Sequence, residues 1–84
     1  MKLNDALGNL AGSPKVRIGE IEDDEVIIYV DDIAFLRLYP VTRGAQFFDE
    51  DRKDLSAALK KACEYIPQLG DLRDFMHKEG YHII

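Results

Sequence analysis

Residues 21–38 read IEDDEVIIYVDDIAFLRL, and this stretch decides the fold. It holds two apolar runs, EVIIYVD and IAFLRLY once extended to Tyr39, each preceded by a clump of acid. Both runs are short and dense in β-branched and aromatic residues, which favours strands over helices. Asp23-Asp24 and Asp31-Asp32 punctuate them as turns. Aspartate tolerates turn geometry, although neither pair contains the glycine that a tight hairpin prefers. Upstream, KVRIGEI at residues 15–21 alternates apolar and polar until Gly19 breaks the pattern. A bulge at Gly19–Glu20 restores the parity and predicts a third strand.

Working outward, Leu3, Ala6, Leu7, Leu10 and Ala11 fall on one face of a helix over 3–11, stopped by Gly12 and Ser13-Pro14. Pro40 to Phe48 reads as a loop with Thr42, Arg43 and Gly44 as its turn residues. A second helix is predicted from Asp49–Asp51 up to Pro67, with Leu55, Ala58, Leu59, Ala62, Cys63 and Ile66 as its buried stripe. Asp71 is a candidate cap for a third helix that buries Leu72, Phe75 and Met76 and closes at Gly80. The tail Tyr81–Ile84 is apolar to its last residue, so it docks on the core or adds a strand to a sheet edge. The order is α-β-β-β-α-α. This predicts an α+β fold, a three-stranded antiparallel sheet packed with helices, in one domain over residues 1–84.

The composition, 46% hydrophobic and 32% charged over 84 residues, belongs to a folded globular domain. The lone cysteine, Cys63, forms no internal disulfide, and with no apolar leader visible at the start a cytoplasmic setting is expected. No apolar run approaches the roughly 20 residues that a membrane span needs. The net charge is −5, and the basic residues are scattered. That pattern argues against direct binding to nucleic acid or to an anionic membrane, both of which need a basic footprint.

If both turns are two-residue hairpins, Val16, Ile18, Ile27, Tyr29, Ala34, Leu36 and Leu38 share one sheet face. Ile21, Val26, Ile28, Val30, Ile33 and Phe35 share the other, flanked by Arg17 and Arg37. A sheet with one wet face alternates more cleanly than this. Helix 1 on one side with helices 2 and 3 on the other, or a partner, must cover the second face. Val26, Ile28, Val30, Ile33 and Phe35 are therefore a candidate apolar interface for a homodimer or a docked subunit.

The strongest surface feature is the acid run. Glu20, Glu22, Asp23, Asp24, Glu25, Asp31 and Asp32 lie within thirteen residues that contain no base. Glu22, Asp23, Asp24, Glu25, Asp31 and Asp32 are the candidate partner-binding residues, presenting negative charge to a protein with a basic surface. The competing reading is that the acids keep a greasy hairpin soluble and block edge-to-edge aggregation. In size, charge and element order the chain is similar in kind to small acidic proteins of phages and mobile elements, such as anti-CRISPR proteins and uracil-DNA glycosylase inhibitors. These mimic nucleic acid and block a host enzyme's basic groove. The resemblance implies an inhibitor and carries no residues over.

No catalytic, cofactor or metal site is predicted. DEDRKDLSAALK at 49–60 lacks the central glycine of a calcium loop. His77 and His82 are five apart with Gly80 between them, which is not a helical zinc pair. Cys63 sits on a buried stripe without an evident base. Ser13 and Ser56 lack a triad, and TRGA at 42–45 is no phosphate loop.

Overall fold

The computed structural model describes residues 3–19, 24–49 and 51–84. Eight elements follow one another: α1 (Leu3–Ala11), β1 (Val16–Ile18), β2 (Val26–Val30), β3 (Ile33–Tyr39), β4 (Gly44–Phe47), α2 (Leu55–Tyr65), α3 (Leu69–Lys78) and β5 (His82–Ile83). The fold is α+β. The sheet is larger than the expected three-stranded antiparallel one: it has five strands in the order β1-β2-β3-β4-β5, antiparallel except for the parallel β4–β5 pair.

The two extra strands have different causes. Gly44-Ala45-Gln46-Phe47 has little intrinsic strand preference and reads as loop. It becomes β4 because a four-residue connection returns it along β3, pairing Tyr39 with Gly44 and Leu36 with Phe47. Arg43 takes the left-handed conformation that closes this connection, with φ of 62°. The tail becomes β5, one of its two expected fates, with His82 N–H donating to the Arg43 carbonyl at 3.0 Å and Ile84 N–H to the Ala45 carbonyl at 3.0 Å.

The β2–β3 hairpin has the predicted two-residue turn. Asp31 and Asp32 have φ of 53° and 62°, and Val30 faces Ile33 across them. Positive φ at both central positions is the primed turn whose twist suits a hairpin. The face assignment is corrected by a bulge. The pairing shifts between Ile28 and Tyr29, so that Ile28 faces Leu36, Tyr29 faces Ala34, and Phe35 is the extra residue. A bulge reverses the parity of everything beyond it. The expected bulge at Gly19–Glu20 lies partly outside the described residues.

As a result Leu36 and Leu38 share a face with Val26 and Ile28, and Val16, placed there by its pairing with Val30, is buried with them alongside Ala45 and Phe47. All three helices add to that same core, through Ala6, Leu7, Leu10, Leu59, Leu69, Leu72, Phe75 and Met76. Helix α3 packs between α1 and α2, so α1 does not cover the far side of the sheet. Helix α2 begins later than expected. Asp54, not an acid of 49–51, caps it by accepting from Ala57 N–H at 3.1 Å. Asp49 instead accepts from Asp51 N–H and shapes the preceding turn. Helix α3 starts ahead of Asp71, which lies in its first turn rather than at its cap.

Candidate functional site

The other sheet face is the candidate site. Register places Arg17 on β1, Ile27 and Tyr29 on β2, Ala34, Arg37 and Tyr39 on β3, and Gly44 and Gln46 on β4 together on that side. Among the described residues no helix packs there, and apart from Gly44 none of these residues is fully buried. What shields the apolar part is arginine. The Arg17 guanidinium lies 4.0 Å from the Tyr29 ring centroid, and that of Arg37 lies 4.9 Å from the ring of Phe48. Stacking of this kind covers aromatic area while leaving the charge in contact with water.

Each arginine also leans on an acid. Arg17 Nε donates to Asp32 Oδ1 at 3.4 Å. Arg37 Nε lies 3.1 Å from Glu25 Oε1, close enough for an ion pair but not aligned for a hydrogen bond. These pairs are solvent-accessible, and each contributes little stability, about 0–1 kcal/mol. They do fix a charge pattern. Asp32 stands in the turn that follows β2 and Glu25 just before the strand begins, seven residues apart in sequence and about 20 Å apart along the strand direction. The two guanidinium groups lie between them. A hollow of about 190 Å³ opens on this side, lined by Arg37, Gln46, Phe47 and Phe48.

The acid run predicted to bind a partner therefore divides. Glu22 and Asp23 lie outside the described residues. Asp24 accepts a 2.7 Å hydrogen bond from Val41 N–H, and Glu25 faces Arg37 at the same end. Asp31 accepts from the Tyr65 hydroxyl at 2.8 Å and Asp32 meets Arg17 at the opposite end. Strand β2 separates the two groups, so Asp24, Glu25, Asp31 and Asp32 do not make one continuous surface; Glu25 and Asp32 stand at opposite ends of the open face, and Asp31 turns to α2.

The predicted apolar interface is corrected. Val26 and Ile28 are 1% and 0% exposed in the core, Val30 and Phe35 are half-buried against it, and Ile33 alone is open, at 72%. Three helices already cover that face, so it is not available for docking. The face that is open carries Ile27, Tyr29 and Ala34. Their alternation is visible in the sequence, but the bulge at Phe35 is what assigns it to the outside.

A polar cleft of about 360 Å³ lies between the start of α2, the end of α3 and β5. Lys53, Ser56 and His77 line it, but Asp54 is committed to the α2 cap and Arg73 to Asp74 at 3.5 Å. Cys63 is half-buried, and burial pushes its thiol pKa up, away from the thiolate. Among the described residues no group of His, Cys, Asp and Glu is arranged to hold a metal, and no helix is long and apolar enough to cross a membrane. No protein family model, no curated protein and no solved structure matches the chain.

Proposed function

We propose that this chain is a small non-enzymatic protein-binding module that docks a partner with a basic surface on the open face of its sheet. One-sided packing carries the reading. Three helices bury one sheet face, while on the other, which carries Ile27, Tyr29 and Ala34, no helix packs among the described residues, and arginines overlie the Tyr29 and Phe48 rings. Apolar area left at a surface marks interaction sites more often than it stands idle. Carboxylates at both ends of that face, within a net charge of −5, speed encounter with a basic partner and repel nucleic acid. A cytoplasmic inhibitor of a nucleic-acid-binding protein is the form of this function that the charge favours.

The test is affinity capture with the intact protein, followed by reconstitution of the complex from purified components at low and high salt. Ile27→Asp and the double reversal Glu25→Lys with Asp32→Lys are expected to lose the complex while retaining the wild-type circular dichroism. A complex that tolerates both variants ends the reading.

A further inference from the structure

We infer that the occupant of the open face is an amphipathic α-helix of the partner, with a basic residue at each end of its apolar stripe and an acidic residue near the middle. The inference rests on the docking reading above and adds the shape and charge order of what docks.

The charge order comes from the face itself. Along β2 it runs carboxylate, guanidinium, guanidinium, carboxylate: Asp32 with Arg17 at one end, then Arg37 with Glu25. The complement is basic, acidic, basic. Asp32, whose side chain is 86% exposed, meets Arg17 through one oxygen at 3.4 Å, which leaves capacity for a second cation. Arg17 uses Nε for that contact, so its outer nitrogens are available to an acid from above.

Shape selects a helix. The side chains of the face supply few partners for the backbone groups of an extended peptide, whereas a helix satisfies its own. The edges of the sheet are β1 and β5, so an added strand would lie beside the sheet and leave this face uncovered. Four strands side by side span about 15 Å, wide enough for a helix. The 20 Å between the acidic ends corresponds to about 13 helical residues. The hollow beside Phe48 takes one large apolar side chain from the stripe.

A second copy fits poorly. A two-fold pairing centred on the face sets acidic end on acidic end and arginine centre on arginine centre, and one displaced along β2 to match acid with arginine covers only part of the face. Nucleic acid would meet the carboxylates at both ends.

The experiment uses two labelled helical peptides with the same apolar stripe. One has lysines at its ends and glutamate at its centre, and the other has the reverse order. Fluorescence anisotropy against the full chain is expected to show the first binding at least about tenfold more tightly. The preference should shrink in high salt and vanish in the Glu25→Lys, Asp32→Lys double variant. Amide chemical-shift changes should centre on Ile27, Tyr29 and Phe48. Equal affinities, shifts confined to the three helices, or a face consumed by a second copy in light scattering would overturn the inference. If neither peptide binds but Ile27→Asp still abolishes the natural complex, the helix is wrong and the docking face stands. If Ile27→Asp leaves that complex intact, both fall.

Discussion

The Tyr65 hydroxyl donates a 2.8 Å hydrogen bond to Asp31, tying the last residue of α2 to the tip of the β2–β3 hairpin. Lys15 completes the junction, its ammonium 4.0 Å from the Tyr65 ring centroid. Asp31 faces the helix side through this bond, while the neighbouring Asp32 faces the open side through Arg17. Accepting the bond, Asp31 holds the Tyr65 pKa above its usual value. Asp31→Asn should therefore bring one tyrosine back toward ordinary titration, read by ultraviolet absorbance against pH. A spectrum indistinguishable from wild type would show that the bond does not persist in solution.

The turn itself is strained for its residue types. Two aspartates hold positive φ where glycine or asparagine is preferred. Asp32→Gly should stabilise the fold by about 1 kcal/mol, because the exposed Arg17–Asp32 pair it removes is weak. The same substitution should weaken capture of a basic partner. Urea denaturation, together with binding, separates the two effects. A variant that is less stable than wild type would mean that Asp32 supports the hairpin through contacts beyond the turn.

Adjacent residues of β2 face opposite fates. Ile28 is 0% exposed beneath the helices, so Ile28→Ala should cost about 2–4 kcal/mol, most of the stability of a domain this small. Ile27 lies on the open face, and Ile27→Ala should cost under about 1 kcal/mol. Reversed costs would place the bulge elsewhere and exchange the inner and outer faces.

Gly44 is required by close approach. A Cβ added there would lie 3.0 Å from Ile84 Cγ2. Gly44→Val should lift the tail, with faster amide exchange at His82 and Ile84 and little change in β1–β3. Unchanged protection at both amides would show that β5 is held by Tyr81 alone.

High pH should destabilise the fold. Folded Cys63, Tyr65 and Tyr81 all have pKa values raised above 9.0, 10.0 and 10.0. Each group holds its proton more tightly folded than unfolded, so its contribution is complete below those values. It falls as the pH climbs past them toward the raised folded values. Among the described residues the Tyr81 hydroxyl is buried without a hydrogen-bond partner, and burial outweighs the nearby Arg43 in setting its pKa. Tyr81→Phe should therefore add about 1 kcal/mol at neutral pH and flatten the alkaline loss. A destabilised variant would mean that the hydroxyl has a partner in solution.

Several features were legible locally. Helix α1 follows from apolar spacing with a glycine stop, the Asp31-Asp32 turn from acid between two β-forming runs, and the buried stripe of α2 from its period. The start of α2 was harder to place, because Asp49, Asp51 and Asp54 all resemble a cap and only the backbone shows that Asp54 takes the role. Strand β4 was not legible, since Gly44 to Phe47 carries a weak local preference and is a strand only because β3 offers it a ladder.

By itself the sequence determined the class of the fold, the acid bias and the absence of a recognisable catalytic motif, because composition and short-range periodicity act within a few residues. Which apolar row faces inward was decided by tertiary structure. With Val26 to Val30 apolar at every position, either row of β2 could have gone inside. One extra residue at Phe35 settles it, sending Ile28 beneath the helices and Ile27 to the open face. The acids were likewise adjacent in the chain but were parted by the extended length of β2, a separation that no count of charges reveals.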